Sequence, residues 1–350
     1  MFRNILRIQA LSLKLHLFTV MVTTLLQMEI CHAQPTDFWN IDFTKADSIA
    51  FRYEGYSLKK TEQLVDSLTS PLNTEVEKFR AIFRWVTDNI SYDYQLYLEI
   101  IKKQAKWKNN KKTMSRLAER VSKKKLRHMI LRRKAICSGY ATLLDYMCSV
   151  AGIESVFING HARTYDLPNG RPNHAWNAVK LNGKWYLCDV TWASGGVDPD
   201  VQRFFKQYEN AYFLTEPSLF ICNHYPLEKR WSLLKDPPSL KDFYRSAFKA
   251  IGYIENKINS YSPANDIIRI KLNDKFQLTF TSNAIKVNDE VSVVVTNQSG
   301  NKERMNEKVK LKKNNMGEYV LEFPLTQKGS FYVRIYINHI DTFVYQVVVI

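Results

Sequence analysis

The dipeptide Asn182-Gly183 stands between two runs rich in aromatic and β-branched residues, His174 to Leu181 and Lys184 to Trp192. Both positions of a tight two-residue turn need φ > 0, which Asn and Gly accept, so the segment predicts a β-hairpin. A two-residue turn also fixes register. Leu181 opposes Lys184, and counting outward Trp176 opposes Asp189 and His174 opposes Thr191. Cross-strand partners share a face, so His174, Trp176 and Asp189 project to one side. Asp189 becomes the diagonal neighbour of His174, at a Cβ separation of roughly 5 to 8 Å. A slip of one residue would send the two to opposite faces. The hairpin therefore delivers an imidazole and a carboxylate within hydrogen-bonding reach.

A third group lies upstream. From Ile136 to Ala151 the apolar residues Tyr140, Leu143, Leu144, Met147, Cys148 and Ala151 recur at three- and four-residue spacing, and Gly152 follows as a stop. That pattern is a helix with one buried face. Cys137 falls in its first turn, where unpaired amides and the positive end of the helix dipole favour thiolate over thiol. Arg132, Arg133 and Lys134 add positive charge just before it, and Ser138 and Gly139 leave room for a substrate carbonyl. A thiol nucleophile needs a base, and the base needs a carboxylate to fix its tautomer and stabilise the imidazolium. Cys137, His174 and Asp189 supply these three roles.

The same residues carry a family resemblance. Cys137-Ser-Gly-Tyr-Ala141, His174-Ala-Trp-Asn-Ala-Val179 and Trp185-Tyr-Leu-Cys-Asp-Val-Thr-Trp192 resemble the motifs of the transglutaminase-like superfamily, a papain-like group that includes transglutaminases, peptide N-glycanases and kyphoscoliosis peptidases. The resemblance covers roughly residues 50 to 240 and implies nucleophile, base and orienter at Cys137, His174 and Asp189. It departs at Ser138, where the family commonly has Glu or Gln, a difference that bears on the substrate side. It also implies an upstream aromatic or amide side chain at the oxyanion hole, for which Trp85 and Trp107 are the candidates.

Residues 1–33 carry Arg3, Arg7 and Lys14, an apolar run from Leu15 to Leu26, and Cys31-His-Ala33, the pattern of a secretory signal peptide cleaved after Ala33. The expected localisation is secreted or periplasmic. Four cysteines then remain; with Cys137 free as nucleophile, at most one intrachain disulfide is possible, and Cys148 and Cys188 read as buried thiols. No cofactor is expected, and no metal site, because no Cys or His pair has ligand spacing.

Residues 34–240 read as the catalytic domain. Thr74 and Glu77 form a capping box opening a helix with Val76, Phe79, Phe83, Val86 and Ile90 inward, after a shorter helix over 57–69. Residues 95–134 are a basic helical insertion. Fifteen Lys or Arg against two Glu there hold +13 of the chain's +16. So local an excess argues against a nucleic-acid-binding fold, which spreads basic groups over a whole face. It reads instead as a solvated insertion or as an arm for an anionic surface such as lipid, polysaccharide or an acidic protein. Glu154 to Gly160 reads as a strand, and Asp166 to Pro172 as a loop leading to His174. His161 is read as structural or substrate-side, and His224 as a packing residue. Residues 241–261 are expected to be a helical connector. From Ser262 the period changes to two, with six strand candidates before Val349, which predicts a β-sandwich of immunoglobulin-like size over 262–350.

The fold class expected is thus α+β, a papain-like or transglutaminase-like core followed by a sandwich. The expected function is attack of a cysteine on amide bonds of proteins or peptides through an acyl-enzyme, resolved by water. The alternatives are transfer to an amine and a non-catalytic scaffold that keeps the fold.

Overall fold

The computed structural model describes residues 35–38, 40–107, 127–163, 170–198, 201–297 and 305–350. The leader expected over 1–33, most of the basic insertion (108–126, with its Met114, Leu117 and Val121) and residues 164–169 of the loop before His174 lie outside the described residues. Among the described residues no helix is long and apolar enough to cross a membrane.

Three helices lead in: α1 (Thr44–Arg52), α2 (Thr61–Thr69) and α3 (Glu75–Asn89). The capping box expected at Thr74 is present. Glu77 N–H donates to Thr74 Oγ1 at 3.3 Å, and Thr74 N–H donates back to Glu77 Oε2 at 3.1 Å. This satisfies amides that a helix start leaves unpaired. The inward residues Val76, Phe79, Phe83, Val86 and Ile90 are all buried. Strand β1 (Ser91–Tyr92) pairs in parallel with β2 (Lys134–Ala135), on either side of helix α4 (Tyr94–Trp107). Helix α5 (Cys137–Val150) follows β2 directly.

The sheet that faces α5 contains β3 (Ser155–Ala162), β4 (His174–Leu181), β5 (Lys184–Cys188) and, beyond a short hairpin of β6 (Gly195–Asp198) and β7 (Arg203–Lys206) and the turn of helix α6 (Pro217–Phe220), β8 (His224–Pro226). Its spatial order is β5-β4-β3-β8. Asn182 and Gly183 both take positive φ, 50° and 81°, as the turn requires. The hairpin register matches expectation from Leu181↔Lys184 to Asn177↔Cys188, and there it stops. The expected pairing of His174 with Thr191 does not form; His174 sits opposite Gly160 of β3 instead. The reason lies farther along the chain: the Asp189 amide donates to Tyr212 O, at 3.0 Å, and the chain turns away from the sheet.

Two large buried clusters hold most of the hydrophobic interior among the described residues. The first gathers α1–α3, α5 and the β5-β4-β3 face, with Phe79, Phe83, Trp85, Tyr140 and Trp176 among its largest members. The second lies between two sheets of the C-terminal region, of strand order β10-β12-β16-β15 and β11-β18-β17-β13-β14. These strands are β10 (Ile258–Ser262), β11 (Ile267–Ile270), β12 (Lys275–Ser282), β13 (Val291–Asn297), β14 (Met305–Val309), β15 (Lys312–Lys313), β16 (Tyr319–Pro324), β17 (Gly329–Ile337) and β18 (Ile340–Val349). Alternate residues turn inward, as in Val291, Val293 and Val295, and rings meet across the gap, Phe276 and Tyr345 at 5.2 Å. The protein is therefore α+β, with a two-sheet β layer at its C-terminal end.

Two expectations change here. The continuous strand expected over Lys308 to Lys312 is broken, because buried Leu311 marks the point where the chain passes from one sheet (β14) to the other (β15). The expected helical connector is mostly not helical. A short helix, α7 (Leu240–Arg245), gives way to β9 (Phe248–Lys249), which pairs with β18, then a five-residue helix α8 (Ile251–Glu255) and strand β10. Phe248 and Ile258 are buried by these pairings, which outweigh the weak helical period.

Candidate active site

Ile136 is extended (φ −91°, ψ 172°), so α5 begins sharply at Cys137, with the sulfur at the helix start. Two anchors fix this turn against the rest. Tyr140 O–H donates to Ile90 O at 2.7 Å, tying α5 to the end of α3, and Asn177 Nδ2 donates to Ala141 O at 3.0 Å, tying it to β4. The helix and the strand that carries His174 are thereby locked together, and three residues far apart in sequence become neighbours.

His174 bridges the other two. Its Nε2 lies 2.6 Å from Asp189 Oδ2, and its ring makes a hydrogen bond with the Cys137 thiol, which leaves Nδ1 for the sulfur. The Ala175 backbone amide also donates to that sulfur. Asp189 is wholly buried. Its Oδ1 accepts from the amides of Thr191 and Trp192 at 2.8 and 3.1 Å, which explains why the chain turns there. Its Oδ2 accepts a second imidazole, His224 Nε2, at 2.9 Å.

The charge distribution follows from these bonds. Burial would raise the Cys137 thiol, but the hydrogen bond and positive charge of His174, with the Ala175 amide, bring it below its ordinary value. Burial would lower His174, but the Asp189 carboxylate and its hydrogen bond push it up to about 10. Burial would raise Asp189, yet His174 and His224 hold it well below the usual carboxylate range. Both shifts favour transfer of the Cys137 proton to His174, with the carboxylate of Asp189 steadying the charged imidazole. Of the basic residues before the helix, Arg133 turns its guanidinium back to donate to the Gly55 carbonyl.

The ligand atoms of His174, Asp189 and His224 cluster within 4.8 Å. The contacts of 2.6 and 2.9 Å fit shared protons. Tetrahedral donors about 2.0–2.1 Å from a zinc ion would stand farther apart than this.

Several other side chains resolve differently from expectation. Trp85 cannot serve the oxyanion hole: it is fully buried and its Nε1–H donates to Tyr53 O at 2.8 Å. The side chain of Trp107 lies outside the described residues. Tyr92, not foreseen, is an upstream aromatic near Cys137. Its pairing with Ala135 places it beside the helix start. Burial raises its phenol well above the ordinary value, and the Cys137 charge pushes the same way. His161 is structural, with Nδ1 2.8 Å from the Tyr244 hydroxyl. His224, expected to pack only, does pack, but it also reaches Asp189. No local pattern marks it in the sequence, because Asp189 lies 35 residues away. All four cysteines among the described residues are free thiols.

Comparison with known proteins covers the same part of the chain. The profile of the Transglutaminase-like superfamily matches residues 62–190, which end just past Asp189. A kyphoscoliosis peptidase of Mus musculus is 34% identical over 227 residues, covering 63% of this chain and 31% of that protein. Its Homo sapiens counterpart is 31% identical over 262 residues, covering 72% and 37%. Hillarin of Drosophila melanogaster is 28% identical over 230 residues, covering 59% and 25%. The chain thus spans about a third or less of the length of these curated relatives. Family profile and relatives together place the chain in the transglutaminase-like superfamily.

Proposed function

We propose that the chain is a cysteine-nucleophile enzyme that hydrolyses amide bonds of proteins or peptides through an acyl-enzyme. The observation that carries this reading is His174, bonded on one side to the sulfur at a helix start and on the other to a buried, fully satisfied carboxylate. In this mechanism the Cys137 thiolate attacks the amide carbonyl carbon. His174 gives its Nδ1 proton to the leaving amine as the C–N bond breaks, and a thioester remains. Neutral His174 then takes a proton from water, whose oxygen attacks the thioester, and keeps it as the C–S bond breaks, so that the acid is released and the thiolate and protonated imidazole are restored. Asp189 keeps Nε2 protonated throughout and steadies the imidazolium.

The Tyr92 phenol is assigned as a donor to the developing oxyanion, the role the family gives to an upstream aromatic. Tyr92→Phe then lowers turnover about a hundredfold while leaving Cys137 alkylation unchanged. Water is preferred to an amine as acceptor, and the peptidase named among the relatives agrees with that choice. Export through residues 1–33, and an anionic surface engaged by residues 95–134, complete the proposal. Binding through that segment would weaken as salt rises.

The test is incubation with a tryptic peptide mixture in H₂¹⁸O, read by mass spectrometry. New carboxyl termini carrying ¹⁸O, lost in Cys137→Ala, support hydrolysis. Cross-linked products without such termini indicate amine transfer, and an unchanged mixture in both proteins points to the scaffold.

A further inference from the structure

Asp189 is unusual in serving two imidazoles through one oxygen. His174 Nε2 and His224 Nε2 stand 2.6 and 2.9 Å from Oδ2. His224 is completely buried at the start of β8, where it pairs with Ala162 of β3. Its ring stacks on Phe220 at 4.1 Å and meets Trp192 at 4.5 Å and Trp176 at 5.1 Å. Packing alone does not call for a histidine in such a slot. A phenyl ring would fill it without burying two polar nitrogens. Both nitrogens are used, however: Nδ1 lies 2.6 Å from Asn223 Oδ1, and Asn223 Nδ2 in turn donates to the Tyr212 hydroxyl at 3.5 Å.

The titratable groups around the ring are Asp189, His174 and Tyr212. Burial, and the charge of His174 beside it, hold His224 down to about 4, so it is neutral while His174 is charged. A neutral ring with its proton on Nε2 is a fixed donor to the carboxylate; Nδ1 then accepts, and a half-turn of the Asn223 amide, exchanging Oδ1 for Nδ2, supplies the N–H it needs.

We propose that His224 is a positioning residue of the catalytic site. Its Nε2–H donates to Asp189 Oδ2, keeping the buried carboxylate anionic and aimed at His174 Nε2, which holds His174 Nδ1 on the Cys137 sulfur. The chain Asn223–His224–Asp189–His174–Cys137 then works as one unit, with His224 acting only through Asp189. The inference rests on the reading of Cys137 as the nucleophile.

The experiment compares wild type, His224→Phe and His224→Gln by the pH dependence of iodoacetamide alkylation at Cys137, with a thermal melt of each. His224→Phe keeps a flat ring against Phe220 and removes the donor. Alkylation at pH 6 is expected to fall about tenfold, the order of one lost hydrogen bond to a charged group, with the apparent thiol pKa raised. His224→Gln keeps an N–H of similar reach and is expected to recover most of the loss. A His224→Phe profile that matches wild type overturns the inference, as does a loss that His224→Gln does not relieve at equal melting temperature. Should His224→Phe fail to fold, ¹⁵N NMR of the wild-type histidines decides. A neutral Nε2–H tautomer at His224 between about pH 5 and 9 supports the proposal, and an Nδ1–H tautomer overturns it. A wild-type Cys137 of ordinary reactivity sinks the nucleophile reading and this inference together; an activated Cys137 indifferent to His224 sinks this inference alone.

Discussion

Helix α5 carries two buried cysteines, one in its first turn and one near its end, and they are chemically opposite. Cys137 and Cys148 are both out of solvent. Burial pushes the Cys148 thiol far up, with the nearby Asp145 charge adding to it. The same burial acts on Cys137, but His174 and the Ala175 amide overturn it. Cys148 faces the apolar interior, where a sulfur behaves as a small hydrophobe. Cys137 faces His174 at the start of β4, whose imidazole is bonded to the buried Asp189 carboxylate. Burial does not make a thiol inert; the lack of a charge partner does.

Breaking the pair at its reactive end has the largest effect. Cys137→Ala is expected to lower turnover of a cleaved peptide by about a thousandfold or more, with the melting temperature little changed. Next comes Asp189→Asn, which keeps the shape, removes the charge and puts an amide where two imidazole N–H groups converge. Alkylation of Cys137 at neutral pH should fall on the order of a hundredfold. The smallest effect falls at the other end of the helix. Cys148→Ser buries a hydroxyl in an apolar site and should cost about 1–2 kcal/mol in chemical denaturation. Its Cys137 alkylation should stay as in wild type. If Cys148→Ser also slowed Cys137, the two ends of the helix would not be the independent environments described.

How much of this was legible in the sequence follows from the range of the interactions. The Thr74–Glu77 box, the α5 period and the Asn182-Gly183 register are local, and local rules found them. The approach of Asp189 to His174 was anticipated because a two-residue turn leaves no freedom in register. The strand's end at Cys188 was not, since it depends on Tyr212 taking the Asp189 amide from 23 residues away. His224 escaped for the same reason: its contact with Asp189 spans 35 residues and needs β8 to pair with β3. Trp85 looked eligible for the oxyanion hole only because a sequence does not show that its N–H is already committed to Tyr53. Residues 241–261 misled because short apolar spacings suit a helix or a strand, and pairing with β18 decided the matter.

The most direct test sets the two thiols of one helix against each other. Iodoacetamide labelling, resolved site by site by mass spectrometry across pH, is run on wild type and on His174→Ala. The account predicts that Cys137 alkylates far faster than Cys148. Its rate should rise at a pH below that of an ordinary thiol, about 8.5, and then stay level while His174 remains protonated, to about pH 10. His174→Ala should return its midpoint to the ordinary thiol range or above. Equal rates for the two cysteines, or a Cys137 profile unmoved by His174→Ala, would contradict it.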